Sequence, residues 1–296
     1  MKRKTEAIKW EHGRNGFALK VDGVTPLTLA MMSLAKENAE FTDEQMRSFA
    51  KIGVDYLADI TGFADRVAAK NVIDTAPAFE LNDYSEVGQE YIYKYVSESA
   101  SQYYTKGIFQ VGSIGYFQKM ENEKARDELE GLAFIATRMG NRIANLAVTM
   151  GLNYYVFCGT DQDNDSFSEY HRQNFGSVLL KIDLVPFAEK VAKRLAARSY
   201  KVMKVKYANA KMIKTEVPIQ ITPESFSTLG SNEMQAYLRH LISDSTAPCL
   251  FTKPGWFRDE IETRLVFEMP YDVNQSLPKR FEHKGLLKHI QFINSM

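Results

Sequence analysis

Between Pro248 and Pro270 the chain reads PCLFTKPGWFRDEIETRLVFEMP, and its second half alternates charge with apolar bulk. Glu260, Glu262 and Arg264 occupy every second position, with Ile261, Thr263, Leu265 and Phe267 on the interleaved ones. A period of two is a strand's period, so this pattern predicts a strand over 260–268 with both glutamates and the arginine on one surface. Neighbours on such a face lie roughly 6.5 to 7 Å apart, which makes a short ladder of two carboxylates and a guanidinium. A ladder of this kind is often only a solvated face. Here it follows a loop carrying Lys253, Trp256 and Arg258, a cationic and aromatic lining suited to a polar, anionic ligand such as a nucleotide.

With 296 residues, the chain has room for a large core, in one large domain or in a main domain with an appendage. Lysine plus arginine and aspartate plus glutamate both number 37, so net charge advertises neither nucleic acid nor membrane, although a local basic groove remains compatible with it. The opening MKRKTEAIKWEHG has no apolar run behind its charges, unlike a signal peptide. No run of about 20 apolar residues is present, so no membrane span is expected. The two cysteines, Cys158 and Cys249, have no metal-ligand spacing, and a reduced, cytoplasmic setting is expected.

In chain order the first part reads as helical. Thr25 and Pro26 suit a helix start, and PLTLAMMSLAKENAEF carries Leu27, Met31 and Leu34 at spacings of four and three. Thr42-Asp43-Glu44-Gln45 fits a capping box ahead of a second amphipathic segment over Met46–Ala69. Residues 71–88 are polar and read as a connector. From residue 89 the texture turns to strands: QEYIYKYVS, with Tyr91, Tyr93 and Tyr95 on one face; GIFQVGS; and the nearly unbroken apolar LNYYVFCGT. FQKMENEKARDELEG reads as a charged surface helix, and SVLLKIDLV as a strand entering a helix capped by Asp183 or begun at Pro186. YKVMKVKYANA and KMIKTEVPIQI predict a hairpin turned at Asn209-Ala210, followed by a short helix in SNEMQAYLRHLIS and a terminal strand near LLKHIQFI. The expected fold class is α+β, with a helical N-terminal region over 1–88 and a strand-rich domain over 89–296.

Common catalytic signatures are missing. Neither GxxxxGKS/T nor GxGxxG occurs, nor HExxH, CxxC or GxSxG. Asp161, Asp163 and Asp165 alternate as in a calcium loop but lack its glycine and closing glutamate. The five histidines show no ligand spacing, so no metal is expected. A magnesium-dependent nuclease built on Asp127, Glu130, Glu260 and Glu262 is one alternative class, since hard cations take oxygen ligands. A non-catalytic interaction protein is another.

From Tyr91 onward the order of YIYKYVS, FQVGSIGYFQKMENEKARDELEG, YYVFCGTD, FSEYHRQNFG and KPGWFRDEIETRLVF resembles the DarT-type ADP-ribosyltransferases and their bacterial relatives. The resemblance spans roughly residues 91 to 293. It implies an ADP-ribosyltransferase-like catalytic domain that uses NAD as substrate to modify nucleic acid, RNA favoured over DNA. A toxin–antitoxin or phage-defence setting, with a protein antitoxin as possible partner, is implied as well. The chain departs from the best-known transferases in lacking an obvious Ser-Thr-Ser strand. By resemblance Glu262 is the carboxylate that faces the oxocarbenium-like transition state, and Glu260 the acid on the acceptor side. Arg264 pairs with Glu262, and Tyr93, Tyr95 and Arg126 hold nicotinamide and diphosphate, with His171 beside Tyr170 as a further cofactor contact.

Overall fold

The structure is a computed structural model. It describes residues 8–13, 16–21, 24–36, 79–80, 88–120, 126–127, 130–139, 142–161, 165–207, 212–216 and 232–293. The architecture is mixed α+β, in two compact units. The first takes residues 1–83, 128–151 and 208–254, and the second takes 84–127, 152–207 and 255–296. The chain therefore passes between units several times. The expected undivided domain over 89–296 gives up two inner segments to the unit containing the N-terminal residues.

The first unit holds a seven-stranded sheet in the order Ile8–Gly13, Gly16–Val21, Val24–Lys36, Arg142–Thr149, Leu132–Met139, Met212–Glu216, Phe79–Glu80. Its first five strands run antiparallel, and the Met212–Glu216 strand adds in parallel. Two expectations fail here. The helix expected from Pro26 is instead the strand Val24–Lys36, paired along both edges. Leu27 and Met31 satisfy a period of two, with Leu29 between them, as well as a helical period of four, and pairing with two neighbours overrides local propensity. The hairpin expected at Asn209-Ala210 does not form either, because Ser199–Lys204 joins the second unit's sheet while Met212–Glu216 joins the first. The short helix expected in SNEMQAYLRHLIS runs on as Asn232–Leu250, with Pro248 inside its last turn. The helix expected over Met46–Ala69 and its capping box lie outside the described residues.

The second unit positions the candidate site. In chain order its elements are β1 (Tyr91–Val96), α1 (Glu98–Thr105), β2 (Ile108–Ser113), α2 (Ile114–Gln118), β3 (Tyr154–Thr160), α3 (Asp165–Phe175), β4 (Val178–Asp183), α4 (Leu184–Leu195), β5 (Ser199–Lys204), β6 (Glu262–Glu268), β7 (Lys279–Glu282) and β8 (Ile290–Ile293). They form one sheet in the order β5-β6-β3-β1-β4-β8, and β2 joins β3 to β7. Asp183 stands at the N-cap of α4 but gives no side-chain cap; its carboxylate lies 3.5 Å from His289 Nδ1 instead.

The two faces of this sheet differ. Ile92, Val96, Tyr155, Phe157, Leu180, Ile182, Leu265 and Phe267 point to one side, where Phe187, Ala188 and Val191 of α4 complete the apolar core. Alternation puts Tyr93, Tyr95, Cys158, Thr160, Glu262 and Arg264 on the other side. Along its remaining edge β3 is shared: β2 pairs with Tyr155 and Val156, whereas β1 reaches it only at Tyr93↔Thr160. Between these contacts Lys94 Nζ donates to the Cys158 carbonyl at 2.6 Å and lies 4.6 Å from the centre of the Phe157 ring. Gly159 permits the single close approach of the strands, since a Cβ there would stand 2.8 Å from the Tyr93 carbonyl oxygen.

Candidate functional site

The polar face of the sheet gathers most of the residues singled out in the sequence. Register places Glu262 opposite Thr160 and Thr160 opposite Tyr93, a row across three strands. The next row along β6 sets Arg264 between Cys158 and Met203. Tyr95, one alternation beyond Tyr93, stacks on His171 of α3, with centroids 5.1 Å apart and planes inclined by 24°. The His171 ring is buried, and its Nε2 lies 3.0 Å from the backbone carbonyl of Glu260.

Glu262 is fixed at three points. Its amide donates to Tyr207 Oη at 2.7 Å and its carbonyl accepts from the Val205 amide at 2.8 Å. Its Oε1 accepts from Arg264 Nε at 2.5 Å. Both side chains are almost wholly enclosed, Glu262 at 4% exposure and Arg264 at 1%. Such a pair is expensive to desolvate and very expensive to break, because removing one member leaves an uncompensated buried charge. The expected pairing of Glu262 and Arg264 is therefore present, but as a buried clamp and not as part of a solvated ladder.

Glu260 differs from the expectation. It ends a 3₁₀ turn, Gly255–Glu260, and β6 begins only at Glu262. Ile261 between them has φ 41°, a left-handed conformation that a β-branched side chain adopts at a cost of order 1–3 kcal/mol. This turn breaks the period of two, so Glu260 and Glu262 do not share a strand face as neighbours. Glu260 is buried at 5% exposure, in the turn whose backbone meets His171. The same turn exposes Trp256, at 51%, together with Arg258.

Arg126 is half-buried beside a fully buried Asp127, and none of the contacts above involves it. Among the described residues no three of His, Cys, Asp and Glu gather to hold a metal ion. Three contributors were missed in the sequence: Thr160, Tyr207 and Lys94. Thr160 closes an apolar strand and Tyr207 ends a lysine-rich one, and neither position reveals its partner without the strand order. Burial lowers the Lys94 pKa below its ordinary value, with Cys158 and Glu262 pulling it partly back.

Among the described residues no helix is long and apolar enough to cross a membrane. No family model, curated protein or solved structure matches this chain.

Proposed function

We propose that the second unit is an ADP-ribosyltransferase domain that transfers ADP-ribose from NAD to a nucleic acid, RNA in preference to DNA. One observation carries the reading: Glu262, its backbone fixed by two hydrogen bonds and its buried carboxylate held by Arg264, lies on the sheet face that also carries Tyr93 and Tyr95, the latter stacked on His171 of α3. Cleavage of the nicotinamide–ribose bond builds positive charge on the ribose. A carboxylate that is already oriented stabilises that charge without reorganising during the reaction. Arg264 on Oε1 fixes the orientation of the carboxylate toward the polar face.

Tyr93 supplies a flat surface for nicotinamide, the buried Tyr95–His171 stack forms the wall next to it, and Arg126 is assigned to the diphosphate through a bidentate contact. Glu260 acts on the acceptor side by orienting a nucleophile or taking its proton. His171, through the Glu260 carbonyl, sets the position of that turn. In the cell the activity would belong to a cytoplasmic toxin of a toxin–antitoxin or phage-defence system, with a protein antitoxin as its partner.

The test is incubation of purified protein with NAD labelled in the ADP-ribose moiety, together with RNA, single-stranded DNA or protein. Label on the nucleic acid, or slow release of nicotinamide without an acceptor, is expected. Neither product from a folded protein that binds NAD would falsify transferase activity.

A further inference from the structure

Lysine and arginine exactly balance aspartate and glutamate over the chain, so any local imbalance is a matter of placement. One stands at the β2–β7 edge. Lys106, Arg194, Lys279, Arg280 and Lys284 are all exposed there. Backbone and side-chain contacts join them: β7 pairs with β2 from Lys279↔Val111 to Glu282↔Ile108, and Arg280 Nε donates to Gln110 Oε1 at 3.0 Å. Arg194 Nε donates to the Glu282 carbonyl at 3.3 Å, and the His283 amide donates to the carbonyl of Gly107, next to Lys106, at 2.8 Å. Glu282 lies among these cations, with Oε1 3.9 Å from Lys284 Nζ, both side chains well exposed. Beside them Tyr103 is 48% exposed, with the Arg280 guanidinium 5.4 Å from its ring centre.

We propose that this edge is a binding surface for single-stranded nucleic acid, separate from the Glu262 face. Cations spaced along an edge strand match a phosphate backbone, and a phenol stacked with a guanidinium offers flat surfaces for unpaired bases. Lysines on an edge strand also discourage pairing with other chains, but that role needs no exposed aromatic ring. The place in the fold separates the two sites. β2 meets β3 at Tyr155 and Val156, four residues from the Thr160–Glu262 pair, or roughly 13 Å along the strand. A strand held at this edge would raise the local concentration of acceptor without touching the reacting atoms.

Fluorescence anisotropy of a fluorescein-labelled 20-nucleotide RNA, titrated with the full chain in the absence of NAD, tests this independently of any transfer activity. Binding that weakens with salt is expected, with a log–log slope of about −3 for four or five phosphate contacts. Arg280→Glu with Lys284→Glu should weaken it at least tenfold and flatten the slope. Tyr103→Ala should weaken single-stranded RNA several-fold but leave duplex nearly unchanged. Retained affinity in the charge-reversed variant, equal competition by polyglutamate, or no binding at low salt would each overturn the proposal.

Discussion

Replacing both members of the Glu262–Arg264 pair should cost no more than replacing one, far short of the sum of the two single changes. Arg264 is 1% exposed and Glu262 4%, with Nε and Oε1 2.5 Å apart. Arg264→Met leaves a carboxylate in an enclosed site without its counter-charge, a loss of about 3–5 kcal/mol. Glu262→Gln keeps an oxygen that can accept the Nε hydrogen but leaves the guanidinium uncompensated, about 3 kcal/mol. The double variant removes both charges and should cost no more than the worse single one, a coupling of about 3 kcal/mol. Because the chain comprises two units, whole-protein melting mixes their transitions. Native-state hydrogen exchange at the β6 amides reads the second unit by itself. Single-variant costs that add to within about 0.5 kcal/mol would show that the pair is solvated, and the reasoning from its burial would fail.

Three further outcomes follow from the same geometry. Gly159→Ala should cost about 1–3 kcal/mol and disturb the Tyr93–Thr160–Glu262 row, since its Cβ would meet the Tyr93 carbonyl oxygen at 2.8 Å; unaltered exchange at Thr160 would count against this. Ile261→Gly relieves the strain at φ 41°, so stability should stay within about 1 kcal/mol of the parent while NAD turnover falls as the Glu260 turn loosens; full turnover would contradict it. Burial holds the Lys94 pKa below its ordinary 10.5, so in the window up to 10.5 the unfolded chain binds more protons and stability contributed at this site rises with pH. Relative to Lys94→Met, the parent should gain stability through that window, and a constant difference would refute the burial of its ammonium.

Strand periodicity was legible wherever one face meets the core, as in Ile92/Val96, Tyr155/Phe157 and Leu265/Phe267. It misled where two periods fit equally. Leu27, Met31 and Leu34 match a helix, but Asp22-Gly23 between two strand-compatible runs is a hairpin signal, and Gly16–Val21 and Val24–Lys36 do pair antiparallel, with Val21 opposite Val24. Glu262 and Arg264 could be picked out as a pair because residues two apart on a strand share a face. Glu260 could not be placed, since nothing in Asp-Glu-Ile-Glu announces a left-handed isoleucine. Long-range partners stayed hidden for a different reason. The Tyr207 hydroxyl and the His171 ring come to this site from elements 55 and 89 residues away from their partners, and spacing along the chain carries no trace of that.

The measurement closest to the central claim is nicotinamide release from NAD by wild-type protein and by Glu262→Gln, each at saturating NAD and with NAD affinity determined separately. Losing one preorganised charge in an enclosed site typically removes on the order of 3 kcal/mol of transition-state stabilisation. Glu262→Gln should therefore release nicotinamide about a hundredfold more slowly, with NAD affinity within a few-fold of the parent. An unchanged release rate in the folded variant would contradict the assignment of Glu262 as the charge-stabilising carboxylate.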